Sequence, residues 1–187
     1  MHRRDFLGGG GRLLILTVAC AWPAAARAAG IADMYILPRA AENNDLDGVQ
    51  QILIRGDVVD TEGQDDRAAL SFAAANGNMA IANILLAHFA NPDHRDRFGN
   101  TALHWAAANG HAEMIKRLLA AKASIDLQNK SGGTPLMLAI GSNRREAVRT
   151  LVQAGANLKI QDFTGHDALS WAQGKPAIMA LLKQGAP

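Results

Sequence analysis

The chain has 187 residues, 49% of them hydrophobic, 19% charged and only 5% aromatic, with a formal net charge of +2. Alanine and leucine carry most of the apolar content, which suits closely packed helices and argues against a sheet sandwich built on β-branched and aromatic side chains. The positive charge does not mark a nucleic-acid binder, because a cluster of arginines in the first thirty residues accounts for it.

Those residues read MHRRDFLGGGGRLLILTVACAWPAAARAAG: a basic start, an apolar run from Leu13 to Trp22, then small residues ending in Ala26-Arg27-Ala28. This layout predicts a secretory signal peptide over residues 1–28, cut after Ala28 or one residue later. The apolar run is about half the roughly 20 residues that a bilayer span requires, so an uncleaved anchor is the lesser alternative. Arg3-Arg4-Asp5-Phe6-Leu7 resembles the twin-arginine export signal of bacteria, which implies passage across the inner membrane in the folded state and a periplasmic location. An ordinary secretion signal leads to the same compartment or outside. Cleavage removes Arg3, Arg4, Arg12 and Arg27 against Asp5 alone and leaves a net charge of about −1, too low for a binder that works by neutralising phosphates. It also removes Cys20, the only cysteine, unless TVAC acts as a lipoprotein box with Thr17 in the place of the usual leucine. The mature chain then has no disulfide, thiol nucleophile or cysteine ligand.

Beyond the signal the sequence is periodic. From Leu37, steps of 33 residues land on Leu70, Leu103, Leu136 and Leu169, and the same step joins Ala40, Ala73, Ala106, Ala139 and Ala172. A second set repeats in parallel: Ile52-Leu53, Leu85-Leu86, Leu118-Leu119 and Leu151-Val152. After a short leader at 29–33, this predicts a domain over 34–187 made of five units: 34–62, 63–95, 96–128, 129–161 and 162–187. The first and the shortened last are expected to act as caps.

Each unit holds two short helices. Leu103, Ala106 and Ala107 share one face of the first, and Ile115, Leu118 and Leu119 share one face of the second. Asn109-Gly110 breaks the pair, with Asn44 and Asn143 in the glycine's place in other units. Thr101 and Thr134 are positioned to cap first helices, and Pro135 fits the first turn. Gly155 marks the end of a second helix, where Phe89 and Lys122 stand in other units and imply a strained exit. Leu70, Leu103, Leu118, Leu119, Leu136, Leu151 and Leu169 are the expected core, joined by a stripe of Phe72, Trp105, Leu138 and Trp171.

GNTALHWAAANGHAEMIKRLLAAKASID and GGTPLMLAI, repeated at this spacing, resemble ankyrin repeats. The resemblance covers residues 34–187. It implies an all-α repeat solenoid of about five helix-turn-helix units joined by β-turn fingers, and a partner protein bound on the concave face formed by fingers and first helices.

The connections RDRFGN and QDFTGH supply the candidate contacts. Aromatic and arginine side chains are enriched where binding energy concentrates, which selects Arg95, Arg97, Phe98 and Phe163. Asn100, Lys130 and His166 are added as polar surface positions nearby. The bland alternative for each phenylalanine is a ring folded back over its own helix pair. His104, following the repeat leucine, is expected to be structural.

Catalytic chemistry finds little support. His88, His94, His104, His111 and His166 form no helical zinc pair, the recurring aspartates Asp93, Asp126 and Asp162 fit turn hydrogen bonding, and no serine lies in a nucleophile elbow. No cofactor or metal is expected. The sequence therefore predicts a monomeric, non-enzymatic protein-binding module of the periplasm, with no nucleic-acid partner and no stable membrane insertion after signal cleavage. A dedicated companion, inhibitor or immunity protein of one exported enzyme is the alternative, and an enzyme built on the scaffold is a remote one.

Overall fold

The computed structural model describes residues 35–185. The signal-peptide, twin-arginine and Cys20 readings fall on residues outside this range. The described part is a row of helix pairs: α1 (Ile36–Glu42) and α2 (Leu46–Ile54), α3 (Ala69–Asn76) and α4 (Met79–Ala87), α5 (Ala102–Asn109) and α6 (Ala112–Ala120). α7 (Pro135–Gly141) and α8 (Arg145–Gln153), then α9 (Ala168–Trp171) and α10 (Pro176–Gly185), complete it. First helices pack side by side in the order α1, α3, α5, α7, α9, and each of the first four also packs on its own second helix.

Neither helix of a pair is long enough to stand alone, so burial between neighbours supplies the stability. Leu37, Leu70, Leu103 and Leu136 are fully buried along the first-helix row, and Leu85, Leu118 and Leu151 along the second. Leu119 is only partly buried and packs against this core. Ala73, Ala74, Ala106 and Ala107 have no exposed surface, and their small side chains let the first helices approach closely. Leu169 departs from its series. It is 41% exposed, on the four-residue helix α9. It is a surface residue of the last unit, not part of the core.

The turns within pairs follow the sequence. Gly77 and Gly110 take left-handed φ values of 70° and 86°, and Asn44 and Asn143 take 58°, a region asparagine tolerates better than most residues. Phe89 and Lys122 are held at φ 63° and 68° at the exits of α4 and α6. The Thr134 hydroxyl accepts from the Met137 backbone at 3.3 Å and caps α7, whose Pro135 occupies the first turn.

The connections between units are not β-turn fingers. Among the described residues there is no strand, only one isolated antiparallel bridge between Glu62 and Ala68. The physical reason recurs at 33-residue steps. Asp96 Oδ1 accepts from the backbone of Phe98 and Asn100, Asn129 Oδ1 from Ser131 and Gly133, and Asp162 Oδ1 from Thr164 and His166. Side chains take the N–H groups that a hairpin ladder would need, so each connection closes as a compact loop. The first differs: Gln64–Asp66 form a single 3₁₀ turn with Asp65 and Asp66 at positive φ.

A second aspartate series, offset from the first, ties unit to unit. Asp60 accepts from the Asn91 backbone at 3.0 Å, Asp93 from Ser124 at 2.9 Å, and Asp126 from Asn157 at 3.0 Å. Asp93 and Asp126, grouped with Asp162 by sequence alone, belong to this second series.

Candidate protein-binding surface

The loops line up along one edge of the first-helix row. Arg97 donates its backbone N–H to the Asp65 carbonyl at 2.9 Å, Lys130 to Phe98 at 2.9 Å, and Phe163 to Ser131 at 3.3 Å. Each rung joins a loop to its neighbour and fixes where the next side chain emerges. Close approach requires glycine beneath: a Cβ at Gly99 would lie 2.8 Å from the Lys130 nitrogen, and one at Gly132 2.5 Å from that of Phe163. The Lys130 stem and the Phe163 ring rest over these two glycines.

Arg97, Phe98, Lys130 and Phe163 thus stand in one row. Phe98 is 45% exposed with the Arg97 guanidinium 4.7 Å from its ring centre, and Phe163 is 73% exposed. Both rings keep large exposed surfaces. Arg97 also pairs with Asp65 at 2.7 Å. Arg95 is exposed and donates to the Gln128 carbonyl. Asn100 is half-buried, its amide oxygen accepting from Asn129 at 2.9 Å, which makes it part of the loop framework. His166 is exposed beside the Thr164 hydroxyl at 2.7 Å.

Behind the row lies the aromatic stripe. Phe72 is buried, while Trp105, Leu138 and Trp171 are partly covered. Trp105 Nε1 donates to Asp96 Oδ2 and Trp171 Nε1 to Asp162 Oδ2, both at 2.9 Å, which satisfies each indole N–H as burial demands. Hydrogen bonds from the Thr164 hydroxyl, the His166 backbone and the Trp171 indole hold the Asp162 carboxyl well below the usual carboxylate range. Arg67 lies across both Phe72 and Trp105, 4.3 and 3.8 Å from their ring centres, a doubled cation–π contact. Burial lowers its pKa, and the charges of Asp96, Glu42 and Asp65 oppose that shift. Its Nε and Nη2 are buried without a hydrogen-bond partner among the described residues. Arg67 and the bond from Trp105 to Asp96, a residue that by sequence only flanks Phe98, are not among the sequence-based expectations. A signal existed for the aspartate, because Asp96–Trp105 and Asp162–Trp171 share a nine-residue spacing one double step apart.

His104 is fully buried and donates Nε2–H to the Gly133 carbonyl at 3.1 Å, while Nδ1 accepts from the Thr101 backbone at 3.1 Å. This geometry fixes the neutral tautomer, and burial pushes its pKa down to about 4. It joins α5 to the following loop.

Two open clefts of about 410 and 520 Å³ flank α1; the larger is bounded by Tyr35, Arg39, Glu42, Asp65, Asp66 and Phe72. The groups whose proton affinity the fold displaces, Arg67, His104, Asp162 and Asp167, line neither cleft. Among the described residues no three His, Cys, Asp or Glu side chains converge on a metal position, and no helix is long and apolar enough to cross a membrane.

The family model for ankyrin repeats, covering three copies, matches residues 37–129 and again 109–186. The chain belongs to the ankyrin-repeat family. Ankyrin-repeat scaffolds are typically non-catalytic helical modules for protein–protein interaction. No curated protein matches the chain.

Proposed function

We propose that this ankyrin-repeat chain is exported to the periplasm through its twin-arginine-like N-terminus and there binds a partner protein as a monomer, without catalysis. The partner lies along the concave first-helix face and the loop edge. One observation carries the reading: Arg97, Phe98, Lys130 and Phe163 project from successive loops fixed by backbone rungs, with two large aromatic surfaces left to solvent. Exposed aromatic and arginine side chains on a rigid support are the composition of an interface anchor.

The test is photo-crosslinking in intact cells, with p-benzoylphenylalanine at Phe98 and, as control, at Gln153, an exposed residue of α8. The expected result is a discrete protein adduct from position 98 in the periplasmic fraction and none from 153. Equal labelling from both positions, or none, contradicts the surface assignment. Recovery of the full-length chain from the cytoplasm alone contradicts the export assignment.

A further inference from the structure

From Asp93 onward the loops sort their charges by direction. Asp93 is held by the Ser124 backbone and hydroxyl, Asp96 by Phe98, Asn100 and Trp105, and Asp126 by Asn157. Asp162 is held by Thr164, His166 and Trp171, and Asp167 by Ser170. Each carboxylate in these loops is therefore engaged by donors from the fold itself. The basic heads face the other way. Lys130 is exposed and has no polar partner among the described residues, Arg97 keeps 56% of its side chain exposed despite Asp65, and Arg95 is exposed with a carbonyl partner only. A partner meeting this edge finds cations and aromatic rings in alternation: Arg97, Phe98, Lys130, Phe163. Toward the connection between α2 and α3 the sign reverses, with Glu62 and Asp66 exposed.

We infer that this row recognises an acidic, extended segment of the partner, with carboxylates about three residues apart and apolar side chains between them. The inference rests on the proposed protein-binding reading and names the chemistry of that partner. The spacing follows from the scaffold. Neighbouring helices pack about 8–10 Å apart, which sets the distance between equivalent loop positions. A segment extended as a polyproline II helix advances about 3.1 Å per residue with about three residues per turn, so every third side chain returns to the same face and meets a new loop. Charge complementarity supplies the choice of sign and fixes register along the edge.

The experiment is fluorescence anisotropy on the mature chain with three labelled synthetic peptides. One has Glu at every third position with Leu between, the second has Lys in place of Glu, and the third has the composition of the first with its glutamates contiguous. The spaced Glu peptide is expected to bind about tenfold more tightly than either of the others and to weaken as salt rises, because exposed charge pairs are screened. Lys130→Glu should weaken it about tenfold, whereas Lys116→Glu, on the second-helix side, should leave it unchanged with both variants equally helical. Equal binding of the Glu and Lys peptides, no binding by either, or indistinguishable effects of the two variants would overturn the inference. The crosslinking experiment separates the two levels. An adduct from position 98 whose contacting segment lacks such carboxylates defeats this inference and leaves the binding reading standing; no adduct defeats the binding reading, and the inference falls with it.

Discussion

The same device occurs twice, in the middle of the chain and at its end, with different results. Trp105 bonds to Asp96 and Trp171 to Asp162 at the same distance and sequence spacing. Around Trp105 the structure is closed: Arg67 covers the ring, His104 beside it is fully buried, and Leu103 has no exposed surface. Around Trp171 it is open: the helix is a single turn and Leu169, the counterpart of Leu103, is 41% exposed. A repeat can write its own hydrogen bonds, but only its neighbours can bury it. In a solenoid, position in the row decides what an identical motif contributes to stability.

That comparison can be broken most directly with the two leucines. Leu103→Ala should lower stability by about 2–5 kcal/mol by opening a cavity, whereas Leu169→Ala should cost less than about 1 kcal/mol. Urea unfolding followed by circular dichroism measures both. Equal losses would mean that Leu169 is buried in solution.

The central unit should also carry a pH dependence that the last one lacks, because Ser170 stands where His104 stands. The folded chain holds His104 neutral to about pH 4, while in the unfolded chain it protonates near its ordinary value. Between these limits the unfolded state binds more protons, so stability falls as pH drops from about 6.5 towards 4, by about 3 kcal/mol in all. Urea midpoints across this range, for the wild type and for His104→Ser, should show that contribution vanish in the variant.

Asp96→Asn sharpens the comparison further. Asn129 already performs the loop role at the equivalent position, accepting from Ser131 and Gly133 with its amide oxygen. The substitution should therefore keep the loop while losing the Trp105 indole bond and the carboxylate's attraction for the partly buried Arg67, at about 1–3 kcal/mol. Asp162→Asn at the open end should cost less, because water can reach the freed group. Tryptophan fluorescence with thermal melts reads both. Phe98→Ala should weaken partner capture about tenfold, or about 1.4 kcal/mol, without lowering the melting temperature. A fallen melting temperature with intact affinity would assign the ring to the fold. Smallest of all, Phe89→Gly removes a 90% exposed ring from a left-handed position and should change stability by under about 1 kcal/mol, in the stabilising direction.

The repeat period, the helix pairs and the buried leucines from Leu37 to Leu136 were legible because they follow from local periodicity. Leu169 was misplaced because its register is right while its helix, α9, is a single turn that leaves it 41% exposed, a matter of helix length that the leucine period does not carry. The loops misled for another reason. Turn-forming residues announce a reversal of the chain, and the backbone closes each loop with one pair, Asp96 to Asn100, Asn129 to Gly133 and Asp162 to His166, but the side-chain oxygens of Asp96, Asn129 and Asp162 take the next N–H groups and no ladder extends. Arg67 was invisible for the same cause: its partners Phe72 and Trp105 belong to two different units. The candidate contacts were visible as exceptions to the repeat, and their alignment into one row emerged only from the rungs between loops.

The links from Asp60, Asp93 and Asp126 to the backbone of the next unit have a practical corollary. Each joint is specified by residues of two adjacent units alone, so the chain is an assembly with a standard coupling. A duplicate of residues 96–128 spliced in after 128 would present Asp126 to the copied Ser124 just as Asp93 meets the original. Such an insertion would lengthen the scaffold by about one helix spacing, roughly 10 Å, without a new coupling having to be invented.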